Sequence, residues 1–210
     1  MIVADLIELI TELLIGKKNK KCIIIAHDWG GNMAWSVAQQ KPNLVDRLVL
    51  INSPHPLVWH QQIESSWKQF TKSSYMFVLN VPYLSETILR GNDFQFIDTF
   101  FGEFYATTNQ TDVYKHYFAL PYGLTGPLNY YRTMLRGIGK SKIVSNPQKI
   151  QPKTLIVWGR NDSVFIDELA EESAKYCNQV TVNYIENGTH EVHLKHSDKV
   201  NQFIADFLTI

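Results

Sequence analysis

The chain has 210 residues, 45% of them hydrophobic and 19% charged, which suits one globular domain with an insertion and allows a sizeable core. Twenty Lys and Arg balance twenty Asp and Glu, so the charge gives no argument for nucleic acid or an anionic surface as partner. Without a run of about 18 apolar residues, or a basic leader followed by an apolar one, neither a bilayer-spanning helix nor a secretory signal is expected in the visible sequence.

Ile2, Val3, Leu6, Leu9, Ile10, Leu13 and Leu14 recur at helical spacing, and Gly16 stands where such a helix would end. A lysine-rich loop follows. Cys22 to Ala26 has no polar alternation and predicts a strand covered on both faces. Asn32 to Gln40 predicts a helix stopped before Pro42, and Arg47 to Asn52 a second strand ending at Ser53-Pro54-His55-Pro56. The rhythm returns late in the chain. Thr154 to Trp158 predicts a strand, Ile166 to Tyr176 a helix, Val180 to Ile185 a strand and Asp198 to Leu208 a helix, the pattern of a parallel α/β sheet. Cys22 falls in the first strand and Cys177 at a helix end, so no disulfide framework is expected and a reducing, cytoplasmic compartment is favoured.

Residues 57 to 145 lack this alternation and hold 18 of the 26 aromatic residues. They predict an inserted helical cap whose aromatics either line an apolar pocket above the strand ends or simply give the insertion its own core. The expected division is a core of residues 1–56 and 146–210 and a cap of residues 57–145.

Between the first strand and the following helix lies Ala26-His27-Asp28-Trp29-Gly30-Gly31, a small-x-Asp-x-Gly turn. A strand that turns sharply into a helix holds its corner residue in a strained conformation and needs small neighbours two positions away, which Ala26 and Gly30 supply. A serine at such a corner attacks acyl groups, whereas Asp28 would displace a leaving group at saturated carbon and form an alkyl ester. The other reading of Asp28 is a helix cap.

An ester of Asp28 needs a base to drive water onto it, and the base needs an orienting acid. Asp162, just past the strand that ends in Val157-Trp158-Gly159, and His190, just past Glu186-Asn187-Gly188-Thr189, supply both in the chain order nucleophile, acid, histidine. His190, His193 and His196 also recur every three residues, but they lack the i, i+4 histidine pair of the helical zinc motif.

With these residues the chain resembles the epoxide hydrolases of the α/β-hydrolase fold over essentially its whole length. His27-Asp28-Trp29-Gly30-Gly31 is similar to that family's elbow, and Ser53-Pro54-His55-Pro56 to the segment that leads into its cap. Asn129-Tyr130-Tyr131-Arg132 is similar to the cap motif whose second aromatic is a substrate-activating tyrosine, which corresponds to Tyr131. Tyr75, seven residues before Pro82, corresponds to the other lid tyrosine.

The resemblance implies the C-terminal half of a mostly parallel α/β-hydrolase sheet with an inserted helical cap. It implies no metal and no other cofactor, and a small apolar epoxide and water as the partners. Asp28 would open the epoxide while Tyr75 and Tyr131 hold the ring oxygen; His190, oriented by Asp162, would activate water; and the Trp29 N–H would stabilise the resulting oxyanion. Haloalkane dehalogenases share the triad but bind a halide and do without the tyrosines, so the tyrosine pair favours the epoxide reading. The family's His-Gly-x-Pro loop has no counterpart before Asp28, so a chain without the N-terminal strands is expected, its Cys22–Ala26 strand left as an unpaired apolar edge. Weakened turnover, or a non-catalytic fragment that binds a partner through that edge, would follow. Some animal relatives carry a membrane anchor in the segment before this point. Glu191 stands where an aromatic is common in the family.

Overall fold

Four short apolar runs make one parallel sheet because each is joined to the next through helical segments that return the chain to the same end. The structure, a computed structural model, describes residues 2–17, 20–105, 110–137 and 148–209. In chain order, α1 (Ile2–Leu14) leads to β1 (Cys22–His27), α2 (Asp28–Gln40), a 3-10 turn at Pro42–Leu44 and β2 (Val45–Ile51). Among the described residues six helices follow: α3 (Pro56–Ser65), α4 (Trp67–Ser73), α5 (Tyr75–Asn80), α6 (Leu84–Tyr105), α7 (Gln110–Ala119) and α8 (Thr125–Gly137). The chain then closes with β3 (Lys153–Gly159), α9 (Glu168–Ala174), β4 (Val180–Ile185), α10 (Val192–Lys195) and α11 (Ser197–Thr209).

The strand order is β1-β2-β3-β4. His27 aligns with Ile51, Ile51 with Val157, and Gly159 with Ile185, so the carboxyl ends of all four strands share one edge. In open parallel sheets that edge is where ligands bind. Ala34, Trp35, Val37 and Ala38 of α2 pack on Leu48, Leu50, Ile156 and Trp158, together with Leu169 and Ala170 of α9. On the opposite face Val200, Phe203, Ile204 and Phe207 of α11 cover Val49, Ile51, Leu155 and Val157.

β1 departs from the expected double coverage. Among the described residues it pairs with β2 alone, and Ile23 and Ile25 are 47% and 52% exposed because α11 packs over the neighbouring strands. The helix after β1 also begins at Asp28 rather than near Asn32.

The chain forms two compact units, Met1–Lys72 with Val144–Ile210, and Ser73–Ile143. Residues 57–72, expected in the cap, fall in the first unit. Val58 belongs to its core, and the Gln69 carboxamide donates to the carbonyl of Val164 and accepts the N–H of Ile166, which ties α4 to the segment after β3. The second unit has its own core of Phe94, Ile97, Leu124 and Leu128, joined by Phe96 and Phe118. Part of the aromatic load of the insertion is thus structural. Within this unit α6 is broken at Gly91–Phe94. Among the described residues no helix is long and apolar enough to cross a membrane.

Candidate active site

At the junction of β1 and α2 the Asp28 backbone has φ +47, a conformation that costs a non-glycine residue about 1–3 kcal/mol and persists only where its surroundings enforce it. Its enforcement comes chiefly from Gly31 and Ser53. A Cβ on Gly31 would run into Ser53 Oγ and Cβ, and that hydroxyl donates to the Asp28 carbonyl at 2.8 Å. The Ala26 and Gly30 pair is looser, since a Cβ on Gly30 would meet Ala26 Cβ at an ordinary 3.9 Å. The residue capping α2 is His27, whose side chain makes no cap hydrogen bond, and Asp28 is the first residue of the helix itself. Its carboxylate accepts the Trp29 N–H and faces His190.

His190 arrives on the loop after β4. Its Nε2 lies 3.2 Å from Asp28 Oδ1, and its Nδ1 lies 2.9 Å from Asp162 Oδ2. Asp162 is fully satisfied: Oδ1 accepts the N–H groups of Val164 at 2.6 Å and Phe165 at 3.0 Å, and Oδ2 accepts the Asn52 amide at 2.6 Å. Lys72 Nζ donates to the Asp162 carbonyl. With both carboxylate oxygens anchored, Asp162 fixes the orientation of the imidazole. The loop carrying His190 is held against β3, where the Asn161 N–H donates to the Gly188 carbonyl at 2.8 Å.

Burial disfavours a charge on His190, but hydrogen bonds and attraction from Asp162 and Asp28 outweigh it and push its pKa up to about 10. Burial also opposes ionisation of Asp28, yet the hydrogen bond and charge of His190 hold its pKa below the usual carboxylate range. The two carboxylates thus favour the protonated imidazole, and the imidazole favours the ionised Asp28. His27, whose Nε2 lies 3.1 Å from the His190 carbonyl, is driven down to about 4, chiefly by burial. Burial, with the nearby Asp28 and Asp162, raises Glu191.

Tyr75, the first residue of α5, and Tyr131, in α8, belong to the second unit. Their rings meet edge to face with centroids 6.0 Å apart. Next to Tyr131, Arg132 is buried and donates to Glu86 at 2.7 Å and to Ser85 Oγ at 3.0 Å.

A carboxylate on a strained strand-to-helix corner, followed in the chain by an acid and a histidine that meet it in space, is an arrangement that can be compared with known proteins. The model of the alpha/beta hydrolase fold family matches residues 1–197. The chain belongs to that family. Among the relatives of this α/β hydrolase, epoxide hydrolase 2 of Caenorhabditis elegans is 34% identical over 90% of the chain and 55% of its own length. Human epoxide hydrolase 4 is 32% identical over 95% of the chain and 56% of its own length. The chain thus spans about half the length of these relatives. The crystal structure of Bacillus megaterium epoxide hydrolase in complex with an inhibitor superposes with a TM-score of 0.82 at 21% identity, covering 99% of this chain and 76% of that one.

Sequence reasoning misses several residues of this α/β hydrolase's site. Asn52 and Ser53 are polar residues directly after an apolar strand, a signal that was there to read, but their partners lie elsewhere: Asn52 bonds Asp162, 110 residues on. Gly31 reads as part of the elbow motif, and its approach to Ser53 becomes visible only with β2 in place.

Proposed function

We propose that this chain carries the reaction centre of an epoxide hydrolase, which opens a small apolar epoxide to a vicinal diol. The observation that carries the reading is a carboxylate, rather than a hydroxyl, on the elbow 3.2 Å from His190 Nε2. A carboxylate attacks saturated carbon, and the ester it forms must then be hydrolysed by an adjacent base. Relatives named epoxide hydrolases support it.

In this reading Asp28 Oδ1 forms a bond to an epoxide carbon as the ring carbon–oxygen bond breaks. Tyr75 and Tyr131 are the phenols we assign to the departing oxygen, one of them giving it a proton. Esterification removes the Asp28 charge, one of the two carboxylates that make His190 so basic. The imidazolium then gives up its Nε2 proton to solvent, from which the phenolate regains the proton it gave to the epoxide oxygen, and the neutral nitrogen can take a proton from water. The hydroxide adds to the ester carbonyl, the oxyanion meets the Trp29 N–H, and collapse frees the diol and the Asp28 carboxylate. Asp162 keeps the Nδ1 proton and the ring orientation throughout.

The test is to incubate His190→Gln with a terminal aryl epoxide and record its intact mass. A gain of one epoxide on the Asp28 peptide, absent in Asp28→Ala, is expected, with diol released by the unsubstituted chain. Halide release from a chloroalkane without diol formation would favour a haloalkane dehalogenase instead. A protein that forms neither adduct nor diol would overturn the reading.

A further inference from the structure

Beside the Asp28–His190 pair, three side chains that the reaction does not use converge. His27 Nδ1 lies 3.9 Å from Glu191 Oε2, His193 Nε2 lies 3.8 Å from the same oxygen, and one ligand atom from each residue falls within 4.8 Å of the others. The two imidazole rings are 4.5 Å apart. We propose that His27, Glu191 and His193 form a binding site for a divalent transition-metal ion of the zinc type.

Each of the three groups is left wanting by the protein. His27 presents its Nε2 to the His190 carbonyl at 3.1 Å, a bond it can make only as donor, which leaves the Nδ1 lone pair facing Glu191. A ligating histidine held through its other nitrogen by a backbone carbonyl is the usual outer arrangement of protein metal sites. His193 Nε2 is too far from Glu191 to donate well, so its lone pair is free to face an ion. Glu191 is mostly buried, and the two imidazoles stand 3.8 and 3.9 Å from its Oε2, too far for a good hydrogen bond. A partly buried carboxylate without a close partner is costly, and a cation between it and the two rings would neutralise it while taking the His27 Nδ1 and His193 Nε2 lone pairs.

The donor set selects the ion. Two imidazoles and one carboxylate suit zinc and its neighbours rather than magnesium or calcium, and three protein ligands leave one position for water. Tetrahedral coordination brings such donors to about 3.3 Å from one another, so the two edges through Glu191 need to close by about 0.5 Å and the edge between the two imidazoles by up to about 1.5 Å. All three side chains retain some exposure, which gives an ion a path in. His27 precedes the nucleophile and Glu191 follows the base. On the proposed reaction, a dication here would oppose proton acceptance by His190 and draw charge from Asp28, so occupancy would suppress turnover. Binding itself does not depend on that reaction.

The experiment is a titration of the chelator-treated chain with Co2+, followed by visible absorption, with Zn2+ added as competitor. One equivalent binding at micromolar concentration with ligand-field bands, and displacement by Zn2+, is expected. Glu191→Gln and His193→Ala should each weaken binding by more than the roughly tenfold that loss of an outer-shell partner costs, while His196→Ala binds as the parent does. No saturable Co2+ binding by the parent below millimolar concentration would overturn the site, whatever its activity on epoxides. So would unchanged affinity in both ligand variants.

Discussion

The Asn52 carboxamide donates to Asp162 Oδ2 at 2.6 Å while its oxygen accepts the Gly159 N–H at 3.1 Å, so one side chain ties the ends of β2 and β3 to the acid. Asn52 is fully buried and has φ +41, a conformation that asparagine tolerates better than most residues. Asn52→Ala should cost about 3 kcal/mol, combining a lost bond to a charged group with backbone strain, and urea denaturation measures it. A change under about 0.5 kcal/mol, the level of an ordinary surface substitution, would mean the bond is not made.

Gly159 stands against the loop that carries His190: a Cβ there would lie 2.5 Å from the carbonyl oxygens of Gly188 and Thr189. Backbone on both sides cannot yield as a flexible side chain would. Gly159→Ala should therefore push the loop outward, lower stability by about 1–3 kcal/mol and slow hydrolysis of the Asp28 ester more than its formation. Gly30→Ala is the control, because its Cβ has room and a helix favours alanine by up to about 1 kcal/mol. Thermal midpoints of the two variants should move in opposite directions.

In the second unit, burial works against ionisation of Glu86, but the Arg132 guanidinium, helped by Ser85, holds its pKa down to about 2. A carboxylate whose pKa is lower folded than unfolded stabilises the fold above its unfolded value of 4.5 and loses that contribution as pH falls toward 2. Glu86→Gln should consequently be less stable than the parent at pH 7, and the gap should narrow steadily between pH 4.5 and 2. Parallel unfolding curves at pH 7 and pH 3 with the same gap would show that the pair contributes no pH dependence.

The sheet was legible because its strands are unbroken apolar runs, and the elbow because the turn's requirements are met by adjacent residues. What escaped the sequence is what depends on distant chain. An apolar run reads the same whether one face is covered or two, so the exposure of Ile23 and Ile25 is not legible in the run itself, and only the resemblance pointed to an unpaired edge there. Residues 57–72 look like the rest of the aromatic insertion, and only the Gln69 bonds to Val164 and Ile166 assign them to the sheet's unit. The histidine run of 190, 193 and 196 pointed away from metal. His27, 163 residues before His190, supplies the ligand that spacing cannot reveal.

Tyr75 and Tyr131 allow the epoxide reading to be separated from a halide-displacing one. Replacing either by Phe keeps the ring for their 6.0 Å edge-to-face contact and removes one hydroxyl, so stability should fall by no more than the roughly 1 kcal/mol of a single hydrogen bond. If the phenols protonate the departing oxygen, adduct formation in the His190→Gln background should slow about 100-fold or more in the double Phe variant, the lower end of general-acid contributions. Alkylation by a haloalkane, whose leaving group needs no proton, should change far less. Equal slowing with both substrates would assign the tyrosines to substrate binding rather than to proton donation, and an unchanged rate with the epoxide would remove them from the chemistry.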